Sequence, residues 1–281
     1  MVLTQTKKEL DAILSSFNST NNLGFVPTMG ALHKGHIALV RKAVSENKNV
    51  VVSIFVNPTQ FNNKEDLKKY PKTLESDISL LKKVSDSICV FAPSVAEIYS
   101  NSIKTNVYNF DGLDKVMEGE FRDDHFNGVG TVVETLLNLV KPDRAYFGEK
   151  DFQQLQIIKK MVDLKKIPVD IIGCPIVREP NGLAMSSRNE RLSKAMRKEA
   201  ALIYKILKAA KKKFGTKSAN YILEWIEKQF QEHTEFDLEY VTIADVDTLT
   251  PIQKKEKNTK YRAFIAVYAE NVRLIDNIAL N

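Results

Sequence analysis

The chain predicts an α/β protein, a doubly wound parallel sheet followed by a smaller α+β domain. Three observations predict it. Short apolar runs alternate with helix-period segments from residue 23 to about residue 172, the pattern of parallel strands joined by crossover helices. The run at 49–56 is almost wholly apolar or β-branched, which suits a strand buried on both faces. After about residue 175 the pattern changes to two long helices and then three strand-like segments, so the boundary is placed there, dividing the chain into 1–175 and 176–281.

The elements follow in order. Leu10, Ile13, Leu14 and Phe17 recur at helical spacing, so 4–17 reads as an opening amphipathic helix. Leu23 to Val26 is a short strand closed by Pro27, which has no amide hydrogen for a central ladder. A helix then runs through Ile37, Leu39, Val40 and Val44. Residues 49–56 form the next strand, broken by Asn57-Pro58-Thr59-Gln60-Phe61. Tyr70-Pro71-Lys72-Thr73 ends a polar loop and opens a helix through Leu74, Ile78, Leu81 and Val84. Ile88 to Ala92 is a third strand, and 95–110 reads as a small helix and an edge strand. Residues 114–130 are polar and turn-rich; the helix after them starts at Thr131 and stops at Lys141-Pro142. Arg144 to Phe147 and Val169 to Ile172 are strands on either side of a helix at 152–164. Beyond the turn Glu179-Pro180-Asn181-Gly182, helices are expected at 193–214 and 218–231, and antiparallel strands at 236–246, 261–269 and 272–279.

Composition narrows the function classes. The chain is 43% hydrophobic and 27% charged, which is ordinary for a globular protein. Lysines and acids interrupt the first residues, so no signal peptide is read there, and the longest apolar run is too short to span a bilayer. Cys89 and Cys174 match no redox or zinc spacing and read as buried thiols of a cytoplasmic protein. The net charge of +6 suits nucleic acid, but equally an enzyme that handles nucleotides and carboxylates. An RNA-binding module would need a basic surface lined with aromatics, whereas the aromatics here are scattered through apolar strands. Neither nucleic acid nor a membrane is therefore expected as a partner.

The chemistry gathers after the strand ends, which share one rim in such a sheet. His33 and His36 stand three residues apart where the first strand of the alternating series turns into a helix. A helix start presents free amide hydrogens and a positive dipole end, suited to phosphate. Two histidines at this spacing also suit surface or capping roles, or a zinc pair, although no close third ligand follows. Residues 27–36, Pro-Thr-Met-Gly-Ala-Leu-His-Lys-Gly-His, go further. They resemble the nucleotide-binding signature of the pantothenate synthetases (pantoate–β-alanine ligases) of the His-x-Gly-His nucleotidyltransferase superfamily. Asn57-Pro-Thr-Gln-Phe61, Tyr70-Pro-Lys-Thr-Leu-Glu-Ser-Asp77, Phe147-Gly-Glu-Lys-Asp-Phe-Gln-Gln154 and Met185-Ser-Ser-Arg-Asn189 resemble the same family in the same order, so the likeness runs from 23 to about 190.

The resemblance implies a Rossmann-like domain that binds nucleotide and pantoate, followed by a small C-terminal lid. It implies ATP-dependent condensation of pantoate with β-alanine through pantoyl adenylate, releasing pyrophosphate and AMP. His33, His36, Lys150, Ser186, Ser187 and Arg188 are then the catalytic donors around the phosphates. ATP would also meet Pro27, Met29, Gly30, Gly148, Asp151, Val177 and Met185. Met29, Gln60 and Gln154 would bind pantoate, with Gln60 also reaching β-alanine. Mg²⁺ is the implied cofactor, with Asp77 as its ligand and Asp151 as a second acid near it. The implied assembly is a homodimer. One departure stands out: the family has Arg-Pro-x-His-Phe-x-Gly-Val where this chain has Arg122-Asp123-Asp124-His125-Phe126-Asn127-Gly128-Val129, which leaves Arg122 as a candidate second-substrate or dimer-contact residue and His125 open equally to a structural role. Within the enzyme class the alternative is a nucleotidyltransferase that adenylylates another small acid.

Overall fold

The computed structural model describes residues 1–17, 22–61, 64–99 and 102–281. The chain divides into two compact units, Met1–Glu149 with Gln154–Pro175, and Lys150–Gln153 with Ile176–Asn281.

In the first unit the strands are β1 (Val2–Thr4), β2 (Leu23–Thr28), β3 (Asn49–Ile54), β4 (Cys89–Phe91), β5 (Arg144–Gly148) and β6 (Asp170–Cys174). Its helices are α1 (Lys7–Ser15), α2 (Lys34–Glu46), α3 (Lys64–Lys69), α4 (Leu74–Lys82), α5 (Val95–Tyr99), α6 (Glu118–Phe121) and α7 (His125–Val140), with most of α8 (Phe152–Lys165). The strands form one parallel sheet in the order β1-β4-β3-β2-β5-β6. Phe25, Val26, Val51 and Val52 are fully buried, as expected of strands covered on both faces. Leu39, Val40 and Ala43 of α2 pack with Val26, Val50, Val52 and Val90 in one core cluster.

Strand order reverses at β2, with β3 and β4 to one side and β5 and β6 to the other. The carboxyl ends of strands at such a switch point form the crevice where ligands of open α/β sheets bind. Pro27 does not end β2, contrary to the sequence expectation; the strand runs through it to Thr28. The Thr28 carbonyl accepts the Phe55 amide, so Thr28 turns its backbone groups toward β3 and Pro27 turns toward β5. Pairing with β5 stops at Phe25↔Ala145, so the missing amide leaves no ladder bond unmade.

Four further expectations are corrected. The first residues form edge strand β1, parallel to β4, before the opening helix begins. The polar segment after Phe61 lies partly outside the described residues, at 62–63, and continues as α3. No edge strand precedes Phe110 among the described residues: the Asn106 and Tyr108 amides bond the side chains of Thr131 and Asn127 on α7 instead of a neighbouring strand. Helix α7 starts at His125, six residues early in a segment of weak apolar periodicity, because His125, Phe126, Gly128 and Val129 are buried there.

The second unit is α+β. Helices α9 (Lys194–Glu199), α10 (Ala201–Phe214) and α11 (Ala219–Gln231) precede an antiparallel sheet of β7 (Phe236–Asp245), β8 (Tyr261–Ala269) and β9 (Val272–Ala279). The expected first long helix is thus two, parted at Ala200. Ile203, Ile206 and Leu207 of α10 and Ile222, Ile226 and Phe230 of α11 share a core with Ile243, Ile265 and Val267 of the sheet.

Helix α7 reaches the turn after β3 at one backbone contact. A Cβ at Gly128 would stand 2.4 Å from the Thr59 carbonyl oxygen, and neither backbone moves cheaply. Gly128→Ala is expected to destabilise the protein by about 1–3 kcal/mol, read as a lower midpoint in chemical denaturation. An unchanged midpoint would show that the turn yields.

Candidate active site

The loop from β2 to α2 is built on two consecutive residues in the left-handed region. Gly30 has φ +80° and Ala31 φ +49°. An L side chain strains the backbone there. The conformation turns the Ala31 and Leu32 amides inward, where Ala31 donates to Asp77 Oδ2 at 3.0 Å and Leu32 to Oδ1 at 2.8 Å. Thr73 Oγ1 lies 3.2 Å from both carboxylate oxygens, and Asp77 is 1% exposed.

His33 is the N-cap of α2. Its Nδ1 accepts the Gly35 amide at 3.1 Å, while His36 Nδ1 accepts the His33 amide at 3.4 Å. The two rings stack with centroids 4.0 Å apart. Amides donating into both Nδ1 atoms fix the neutral tautomer, so each imidazole carries its hydrogen on Nε2. These four amides are therefore not free for phosphate, as the sequence reading expected. Both imidazoles lie at the positive end of the helix.

The turn after β3 supplies the amide side. Asn57, 1% exposed, donates to the Gly128 carbonyl and to Gln60 Oε1, and its Oδ1 accepts from Thr59 and the Tyr99 hydroxyl. Gln60 Nε2 then reaches Met29 Sδ at 2.8 Å, so these two predicted pantoate residues meet. The Gln60 carbonyl faces the His125 Nδ1 at 2.9 Å and accepts from Arg122 at 3.3 Å, with Arg122 3.5 Å from Glu118. Arg122 and His125 thus brace the Gln60 backbone, a partner that the sequence did not indicate for either. Gln154 lies half-buried on α8. Pro27 and Met29 are half-buried and Gly30 is buried at the carboxyl end of β2, and Gly148 is half-buried at the end of β5.

In the second unit the predicted phosphate contacts Ser186, Ser187 and Arg188 follow a braced hairpin. Met185 donates to the Val177 carbonyl, and Arg178 bridges to Ala184. Arg178 makes a bidentate pair with buried Asp276, bonds the Gly182 carbonyl and lies 3.6 Å over the Tyr204 ring. Burial pushes the Asp276 carboxyl above the usual carboxylate value, against the pull of Arg178. Buried Asn189 ties the following turn to Glu179 and to the Ala184 carbonyl, and Glu179 also pairs with Arg197. Ser186 caps that turn by accepting the Arg188 amide; Ser187 and Arg188 are half-buried. Asn277, next to Asp276 on β9, donates to the Lys150 carbonyl at 2.9 Å. The Lys150 ammonium lies 3.8 Å from the carboxylate of Asp151, which is itself half-exposed. Arg178, Asp276 and Asn277 escaped the sequence reading; the available signal was two adjacent polar residues, Asp276 and Asn277, in a mainly apolar strand.

Two expectations about chemistry can be set against this geometry. Asp77 does not fit a metal: its oxygens are taken by two amides and a hydroxyl, out of solvent. Among the described residues no group of three or more His, Cys, Asp or Glu is arranged to hold one. Both thiols are buried, as expected, and burial pushes Cys174 up to about 11 and Cys89 up as well, so neither is a nucleophile at neutral pH. Among the described residues, no helix is long and apolar enough to cross a membrane.

Comparison with known proteins converges on one family. The family model described as pantoate-beta-alanine ligase matches residues 2–279. The pantothenate synthetase of Christiangramia forsetii is 55% identical over 97% of this chain and 96% of its own length. That of Flavobacterium psychrophilum is 51% identical over the whole of both chains. The crystal structure of pantothenate synthetase from Thermus thermophilus superposes with a TM-score of 0.91 at 41% identity, covering 100% of this chain and 99% of that one. The pantoate–β-alanine ligase of Francisella tularensis, complexed with beta-gamma ATP and beta-alanine, gives 0.81 at 37% identity over 100% and 98%. With its stacked histidines, its Gln60–Met29 contact and a match across nearly its whole length, the chain belongs to the pantoate–β-alanine ligase family.

Proposed function

We propose how this ligase, which joins pantoate to β-alanine through a carbon–nitrogen bond, divides the work among its residues. A pantoate carboxylate oxygen attacks the α-phosphorus of ATP, and the bond to pyrophosphate breaks. The β-alanine amine then attacks the acyl carbon of pantoyl adenylate, loses a proton and displaces AMP. Charge shifts onto the departing pyrophosphate in the first step, and fixed donors aimed there lower the barrier.

The observation that carries this reading is the capping geometry of the paired histidines. With both Nδ1 atoms accepting helix amides, the stacked rings of His33 and His36 are assigned to the phosphates through Nε2–H. Gln60 suits the substrate side for a related reason. Its amide rests on a thioether sulfur, a weak acceptor, which a carboxylate or hydroxyl oxygen of pantoate displaces at little loss. Gln154 is assigned to the other pantoate oxygens and Gln60 also to β-alanine. Lys150, Ser186, Ser187 and Arg188 are assigned to the phosphates, and Pro27, Met29, Gly30, Gly148, Asp151, Val177 and Met185 to the rest of the nucleotide, on their match to the family motifs. The C-terminal unit is read as the lid over ATP. Mg²⁺ enters as the companion of the ATP phosphates, part of the substrate. The protein is assigned to the cytoplasm as a homodimer, a mass that light scattering measures directly.

The adenylate route makes the first step reversible without the amine. With pantoate, Mg²⁺ and no β-alanine, the protein is expected to exchange labelled pyrophosphate into ATP. Exchange that demands β-alanine would rule the sequential route out.

In the same assay His36→Ala is expected to lose about 10²–10³-fold, with the fold intact by circular dichroism. Near-normal exchange would remove the histidines from the phosphate.

Gln154→Ala should raise the KM for pantoate far more than that for ATP, because the substrate oxygens are left without a donor. An equal rise in both constants would place Gln154 elsewhere.

A further inference from the structure

We infer that Asp77 is the positioning residue of the histidine pair, an internal anion that holds the loop before His33 in its working shape. Successive amides presented by left-handed residues form a concavity that binds anions, and phosphate is the usual guest. Here the concavity made by the Ala31 and Leu32 amides is already filled by the Asp77 carboxylate. The carboxylate is fixed in turn: it belongs to the first turn of α4, where the helix dipole favours negative charge, and Thr73, the N-cap residue of α4, reaches both its oxygens. Gly30 leaves room for it, since a Cβ at that position would stand 3.1 Å from Asp77 Oδ2. His33 follows Leu32 directly, so the caps that set both histidine tautomers are anchored one residue from the carboxylate.

The role rests on the assignment of His33 and His36 to the phosphates, and it separates cleanly from metal binding. A metal ligand needs an oxygen facing solvent and substrate; Asp77 gives both oxygens to its own chain at 1% exposure. Asparagine at this position keeps the size but turns an N–H toward one of the amide donors, so the loop must shift. Misplacing a catalytic group by about 1 Å costs on the order of 10²-fold.

The test is Asp77→Asn, with Thr73→Val as the milder variant that removes only the orienting hydroxyl and serves if the first does not fold. Pyrophosphate exchange is measured across a Mg²⁺ titration, and the Ala31 and Leu32 amide resonances are followed by ¹⁵N–¹H NMR. Asp77→Asn is expected to lower kcat by about 10–10²-fold and Thr73→Val by less, with the half-saturating Mg²⁺ unchanged and both amide resonances moved upfield as their acceptor weakens. Combined with His33→Ala, Asp77→Asn should add little further loss, because the two act through one group. A raised Mg²⁺ requirement that excess metal repairs would make Asp77 a ligand and overturn the inference. Unchanged turnover or unmoved amide resonances would overturn it equally. Should His33→Ala alone leave exchange intact, the histidine assignment fails, while the amide resonances still report what Asp77 holds.

Discussion

The histidine pair depends on backbone amides finding acceptors inside the loop that carries it. A helix start leaves amide hydrogens without partners, and most proteins close them with serine, threonine or aspartate. Here the imidazoles take that part themselves, through Nδ1, and the residues just before them are closed by Asp77. One set of bonds thereby caps α2, fixes two ring orientations and sets which nitrogen bears hydrogen. Side chains held this way need no reorganisation when charge develops beside them, which is the condition for electrostatic catalysis.

The C-terminal unit solves the same problem with a buried ion pair. Arg178 and Asp276 meet in bidentate geometry, Arg178 stacks on Tyr204, and the adjacent Asn277 secures the Lys150 carbonyl. A buried pair of this kind contributes little net stability, but losing one partner strands the other charge and is strongly destabilising. Its value lies in geometry: the 177–185 hairpin and the Lys150 turn hang from two consecutive residues of β9.

Much of this was legible in the sequence. Alternating apolar runs and helix periods showed the parallel sheet, and the change after residue 175 showed the antiparallel one, because both periodicities follow directly from burial. What escaped was set by partners distant in the chain. Val2–Thr4 is a strand only because Cys89–Phe91 offers it an edge. Helix α7 begins at His125 because the 57–60 turn covers its first residues, in a segment whose own pattern is polar. The site divides along the same line. The ten-residue motif pointed to His33 and His36, and the motif after β3 to Gln60. Asp77, however, was read as a metal ligand, since an aspartate in a matched segment carries no sign of whether it faces a cation or a pair of amides.

Pro27 acts as a stop in a zipper. β2 and β5 start out bonded side by side, and hydrogen bonding would favour their closing along their whole length. Pro27 presents a ring where the next tooth would be, so β5 finds no donor there and the two strands part. The end of β2–β5 pairing is thus written into the covalent structure of the chain, where no rearrangement of side chains extends it.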